Sequence, residues 1–193
     1  MEIPLTLKKS ADGRVSYGIP LWYRIATAAM LLLIAGGIFI AGGPPSLIAW
    51  IILALLLLGL AYEERWVVDP QARLVRYFSG FWPIARAMNI GFDEIDEFCL
   101  SAFARGTVPG SAEEEKDKEK AFAMMKGKDT NDMSKSAFQK WTGHKPYINL
   151  LLKTKSGETY LVNTLPARRG GRLNKAAQML AASSESRYTE PNV

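Results

Sequence analysis

Cys99 and His144 are the single cysteine and single histidine of this chain, so any thiol or imidazole chemistry would have to start from them. A thiolate–imidazole pair needs the two within hydrogen-bond reach and a third group to orient the base. Cys99 sits in the apolar run Phe98-Cys99-Leu100, where a small buried thiol is the plainer reading, and His144 lies in the loop-like Gly143-His144-Lys145. With so few imidazoles and thiols, a transition-metal centre lacks ligands. Asp93, Glu94, Asp96 and Glu97 offer oxygen ligands to a hard cation, but not at the spacing of a Ca²⁺ loop, and they read as solvated acids at the start of a strand. Gly170-Gly171 precedes a helical pattern as a phosphate loop would, yet neither nucleotide fingerprint is present. No catalytic residue, cofactor or metal is therefore expected, and the protein is expected not to be an enzyme. A lone cysteine excludes an internal disulfide and fits a reducing compartment. A net charge of +5 over 193 residues, with no basic run carrying spaced aromatics, argues against nucleic acid as a partner.

Two other groups of residues fare better: the aromatic pair Phe81-Trp82 and the cations Arg168, Arg169, Arg172 and Lys175. What they can do depends on the elements that carry them, and those elements are organised by one stretch. Ile25 to Tyr62 has no charged side chain and is interrupted only by Gly42-Gly43-Pro44-Pro45. About 20 helical residues cross the roughly 30 Å hydrocarbon core of a bilayer. The stretch is too long for one crossing and suits two, over 21–41 and 46–62, with Gly-Gly supplying backbone freedom and Pro-Pro stopping the helix. A helical hairpin satisfies its own backbone hydrogen bonds in lipid. The competing readings are a buried hairpin in a soluble core, which leaves Leu53 to Leu58 without a polar face, and a cleaved signal peptide ending near Ala41-Gly42-Gly43.

Basic residues flank the outer ends of the hairpin (Lys8, Lys9, Arg14 and Arg24 before it, Arg65, Arg73 and Arg76 after it), and none lies between the spans. The positive-inside rule then predicts a multi-pass protein of the inner (cytoplasmic) membrane with both termini cytoplasmic, anchored at the interface by Trp22, Tyr23, Tyr62 and Trp66. The first 20 residues alternate around Asp12-Gly13 and read as a β-hairpin or a polar tail. After the spans the period changes to two. Strands are expected over Arg65–Val68, Arg73–Phe78, Ile84–Ile90, Ile95–Phe103, Tyr147–Lys153 and Glu158–Val162, with turns at Asp69-Pro70, Ser79-Gly80, Gly91 to Glu94 and Thr154 to Gly157. Leu173, Ala176, Ala177 and Leu180 share one face of a terminal helix, and residues 184–193 read as a frayed tail. Residues 104–146 are a charged insertion too long for an ordinary connection. In it, Ser111 with Glu114 fits a capping box and Glu114 with Lys118 an i,i+4 pair; Met133, Ala137 and Trp141, with Phe138 beside them, suggest a second, docking helix.

This layout resembles the membrane-bound bacterial pleckstrin-homology-like domains. The likeness is carried by Arg65 to Asp69, the Arg73–Phe78 strand ending at Ser79-Gly80, the bend at Phe92 to Asp96, Leu151 to Gly157 and the helix from Arg168 to Ala182. It is also similar in layout to the photosystem I assembly proteins of cyanobacteria and plastids. The resemblance implies an α+β, PH-like domain over 63–183, a curled antiparallel β-meander closed by the C-terminal helix, and it supplies no substrate.

If one meander leaves the membrane at Arg65, strand parity brings the Phe81-Trp82 tip and the start of the terminal helix back towards lipid. Arg168, Arg169, Arg172 and Lys175 would then meet anionic headgroups, a gain of about 1 kcal/mol each against a few tenths each for opposing the helix dipole. The plainer readings are a solvated basic face and packing of Phe81 and Trp82 under the sheet edge. Gly36, Gly37 and Gly59 would allow close contact with another membrane helix. The first functional expectation is a non-enzymatic, membrane-anchored interaction or assembly scaffold whose partners are the lipid bilayer and a membrane protein or a second copy of the chain. The alternatives are a module sensing anionic lipid headgroups and, more remotely, a subunit or assembly factor of a photosynthetic or other membrane complex.

Overall fold

The computed structural model describes residues 5–42, 44–105, 112–126 and 145–189. The expected Ser111 cap, the stripe from Met133 to Trp141 and His144 lie outside the described residues. The fold is α+β, with antiparallel sheets and a C-terminal helix. The chain forms two compact units, Met1–Val68 with Val75–Asn89, and Asp69–Leu74 with Ile90–Val193.

In the first unit, Asp12-Gly13 does make a hairpin. β1 (Thr6–Lys9) and β2 (Val15–Gly18) pair antiparallel from Thr6 opposite Gly18 to Lys9 opposite Val15. The Asp12 carboxylate accepts the Arg14 amide at 3.2 Å and fixes the turn. Helix α1 (Leu21–Ala41) ends where Gly42 takes a left-handed φ of 66°. Its 21 residues rise about 31 Å, so α1 is long and apolar enough to cross a membrane. Helix α2 (Leu47–Ala61) is apolar throughout but 15 residues long. It is shorter than its expected span because the Ser46 hydroxyl caps it, accepting the Ala49 amide at 3.3 Å, while Tyr62 already belongs to the next strand. No residue of either helix is buried; Leu33 is 77% and Phe39 88% exposed.

Strands β3 (Tyr62–Asp69), β4 (Leu74–Phe81) and β5 (Arg86–Gly91) extend the first sheet in the order β1-β2-β3-β4-β5. Val15, Tyr17, Trp66, Val68 and Val75 are buried, with Trp66 stacked on Tyr77 at 4.3 Å. The turn expected at Ser79-Gly80 is displaced to residues 82–85. Gly80 has φ 138°, and a Cβ there would sit 3.1 Å from the Ala85 Cα. The glycine therefore admits a close cross-strand neighbour within the ladder, so the strand runs on to Phe81.

In the second unit, β6 (Ile95–Arg105), β7 (Lys145–Thr154), β8 (Thr159–Pro166) and β9 (Arg187–Thr189) form a sheet of order β8-β7-β6-β9. The ladder does not pass from β5 to β6. A single turn of 3₁₀ helix at Phe92–Glu94 intervenes, in which the Phe92 amide bonds the Arg73 carbonyl at 3.1 Å and the Glu94 carbonyl accepts the Lys155 amide at 2.8 Å. Strand parity counted through one continuous meander therefore does not carry through to β6–β8. The Thr154 to Gly157 turn forms as expected, with the Thr154 hydroxyl accepting the Glu158 amide at 3.1 Å.

Helix α3 (Ala112–Met125) lies within the charged insertion, and the i,i+4 pair Glu114–Lys118 closes at 2.8 Å. It is not wholly solvated: Ala121 is fully buried, and the helix packs on β6, β7 and the residues that precede helix α4 (Gly170–Ser183). Leu173, Ala176, Ala177 and Leu180 of α4 are buried, as the 3.6-residue stripe predicts, in a core shared with Phe98, Leu100, Ile148, Leu150, Leu152 and Val162. The tail is not frayed throughout, because β9 pairs parallel with β6, Glu97 opposite Arg187 and Cys99 opposite Thr189.

Candidate functional site

Two surfaces stand out, one in each unit. In the first, the tip of the β4–β5 hairpin returns to the end of α2. The Trp82 amide donates to the carbonyl of Ala61, the last residue of that helix, at 2.8 Å, and the Phe81 and Tyr62 rings meet edge-on at 5.7 Å. The Trp82–Pro83 peptide is cis. Phe81 is half-exposed, Trp82 73% and Ile84 83% exposed. Trp82 is thus not packed under the sheet edge, while Phe81 rests partly covered against Tyr62. Trp22 and Tyr23, 6.0 Å apart, stand at the start of α1. Gly59, near the end of α2, faces Thr27, near the start of α1: a Cβ at Gly59 would lie 3.9 Å from the Thr27 methyl, and the two helices therefore run antiparallel. Gly59 is thus used inside the hairpin, whereas a Cβ at Gly36 or Gly37 would meet open space.

In the second unit, Arg168 and Arg169 occupy the 3₁₀ turn Ala167–Arg169, and Arg172 and Lys175 follow on α4. All four are exposed, and among the described residues none has an acidic partner. Arg172 and Lys175, three residues apart on α4, lie off the buried Leu173–Ala177–Leu180 stripe. Gly170 is not a phosphate-loop glycine. A Cβ there would lie 2.7 Å from the Ile148 Cδ1 and 2.8 Å from the Met125 Cγ, so it lets the start of α4 close on β7 and α3.

Compared with family models, curated proteins and solved structures, the chain finds no match. What its surfaces can do follows from their own chemistry.

Of the acids singled out at the start of β6, Asp93, Asp96 and Glu97 are engaged in ion pairs. Glu97 accepts the Lys153 ammonium at 2.7 Å and the Thr189 hydroxyl, and these two bonds hold its carboxyl below the usual carboxylate range, Lys153 first. Asp96 pairs with Arg187, and Asp93 with Arg73 at 3.7 Å. Burial pushes the Cys99 thiol up, against nucleophilic use. Among the described residues no cluster of three or more His, Cys, Asp or Glu is arranged to hold a metal ion. Sequence reasoning misses Ile84, which its β-prone neighbours place in a strand rather than at a tip. It also misses the Arg187 and Thr189 contacts, because three residues of parallel strand leave no periodic signal.

Proposed function

We propose that the protein is a non-enzymatic, membrane-anchored interaction or assembly scaffold. α1 and α2 would cross the inner membrane as a hairpin, leaving both termini and a PH-like domain on the cytoplasmic side. The observation that carries this reading is the apolar surface left uncovered on both helices. Exposing a Leu or Phe side chain to water costs roughly 1.5–3 kcal/mol relative to burial, and α1 and α2 expose Ile25, Leu32, Leu33, Phe39, Ile40, Leu47, Ile48, Leu55 and Leu57 among others. Lipid removes that penalty. The exposed Trp82 beside Ala61 suits the headgroup level, where its amphipathic ring would anchor the span, and the exposed Phe81 and Ile84 add apolar area at the same tip. Three strands, three more strands and a closing helix support the PH-like reading by order of elements. Gly36 and Gly37, uncovered on α1, suit close approach of a helix from a membrane-protein partner or a second copy. A place in a photosynthetic or other membrane complex would be one form of this role.

Alkaline carbonate washing of membranes from cells making the full chain tests the anchor. The protein should stay in the pellet, and recovery in the soluble fraction would overturn the proposal. Pull-down from detergent extracts tests the scaffold role: a stoichiometric membrane partner is expected, and capture of none supports the second reading instead.

That second reading is a sensor of anionic lipid headgroups, favoured by the four exposed cations at 168, 169, 172 and 175. Amide exchange on the full chain in nanodiscs decides it. Addition of phosphatidylglycerol should protect the start of α4, with protection lost at high salt and on reversal of the four charges; unchanged exchange would remove the reading.

A further inference from the structure

A recess of about 160 Å³ lies at the foot of the helical hairpin, lined by β1, β2, the start of α1 and the start of β3. Its construction follows from the ladder: Gly18 pairs with Arg65, and the Ile19 amide donates to the Glu64 carbonyl at 3.2 Å. Gly18 and Ile19, shortly before α1, and Glu64 and Arg65, shortly after α2, are thereby clasped together, and the recess lies where the two helices begin and end. Its charged lining residues are Lys8, Arg24, Glu63, Glu64 and Arg65. Arg65 is paired with Glu63 at 3.2 Å, and Glu64 accepts the Tyr62 hydroxyl at 3.2 Å. Lys8 and Arg24 have no acidic partner among the described residues, and the Arg24 Nε is buried without a hydrogen bond.

Arg24 is the one ionisable residue of α1 with a permanent charge, a turn into the helix. Near a helix end a guanidinium reaches the headgroup region, and its Nε, buried here without a hydrogen bond, calls for an acceptor. Its planar fork and the Lys8 ammonium suit a phosphate diester, to which charge-assisted bonds are roughly twice as strong as neutral ones. The carboxylates of Glu63 and Glu64, in the same recess, suit a cation that can donate hydrogen bonds. One headgroup carries both charges on a short arm. We infer that the recess binds the phosphoethanolamine headgroup of an aminophospholipid, phosphate towards Lys8 and Arg24 and ammonium towards Glu63 and Glu64. A choline headgroup has no N–H to donate to the carboxylates, and a glycerol headgroup has no cation to offer them. This inference rests on the membrane reading above, which places the foot of α1 at headgroup level.

The test uses the full chain purified in detergent, depleted of lipid and titrated with phosphatidylethanolamine, phosphatidylcholine or phosphatidylglycerol, with retained lipid counted by native mass spectrometry. Phosphatidylethanolamine should be retained in preference to the other two. Arg24→Gln should weaken that retention about tenfold, the equivalent of one lost charge-assisted hydrogen bond, as should the more conservative strand variant Lys8→Gln, while Lys9→Gln, outside the recess, should not. Equal retention of the three lipids, or wild-type retention by both recess variants, would overturn the site. Soluble phosphoethanolamine or inorganic phosphate displacing the lipid at equal concentration would assign the recess to a free metabolite and overturn the lipid. Carbonate washing separates the two levels: protein in the supernatant sinks the membrane reading and this site with it, whereas protein in the pellet without lipid preference sinks only the site.

Discussion

At the scale of single residues, Gly170 and Glu97 show how the second unit is held. Any Cβ at 170 meets the Ile148 and Met125 side chains well inside van der Waals contact. Gly170→Ala should therefore destabilise the protein by about 1–3 kcal/mol, seen as a lower urea midpoint with unchanged slope. Glu97 has its carboxyl held below the ordinary value near 4.5 by Lys153 and Thr189. The folded state thus favours the carboxylate. The stability this contributes is present above the ordinary value and is lost as pH falls through the lower, folded value. For a pair in which Lys153 is 44% exposed, the gain is about 0.5–1 kcal/mol. Glu97→Gln should flatten the acid limb of the stability curve while leaving the neutral plateau lower by that amount; an unchanged acid limb would show that the pair contributes nothing.

At the scale of elements, β9 and α3 were the least legible. The sequence after Ser183 has no alternation long enough to announce a strand, and β9 is held by what lies far away: Arg187 by Asp96, Thr189 by Glu97, and the Tyr188 hydroxyl by the Asn174 side chain at 2.7 Å. A chain ending at Ser186 should expose the β6 edge and speed amide exchange along Glu97–Cys99, at a cost of about 1–3 kcal/mol for the lost hydrogen bonds. For α3 the charged run from Glu113 to Lys120 masked a short apolar end. Ala121 is buried in a helix that packs on β6 and β7, so Ala121→Asp, which would bury an unpaired charge, should release the helix and lower the melting temperature by several degrees. Replacement of Glu115 by Asp, on the exposed face, should change little.

At the scale of the molecule, the uncovered helices and the covered cores imply different environments. The second unit buries Phe98, Leu150, Leu152, Leu173 and Leu180 among its own elements, whereas no whole residue of α1 or α2 is buried. If the hairpin spans lipid, cysteines placed at positions 10 and 158 in a Cys99→Ala background should both resist a membrane-impermeant reagent in intact cells and both react after lysis. Labelling of only one before lysis would place positions 10 and 158 on opposite faces and leave α1 as a single crossing, and labelling of both would overturn the cytoplasmic orientation.

Periodicity and composition by themselves determined the uncharged stretch, its Gly-Pro interruption, the Thr154–Gly157 turn, the order of strands β3 to β8 and the buried stripe of α4, because each is a local pattern of residue type or spacing, whereas the Asp12-Gly13 segment was left open between hairpin and polar tail. The exposure of the four cations was legible from residue type, whereas that of Phe81 and Trp82 was not, since aromatic side chains ordinarily favour burial. Only the tertiary structure decided that the ladder breaks at Phe92–Glu94, that Gly80 sits inside a strand, that β9 joins β6, and that Lys8, Arg24 and Glu64 share one recess. Each of these depends on which backbone amides and side chains meet across long stretches of chain, and a one-dimensional pattern does not encode such meetings.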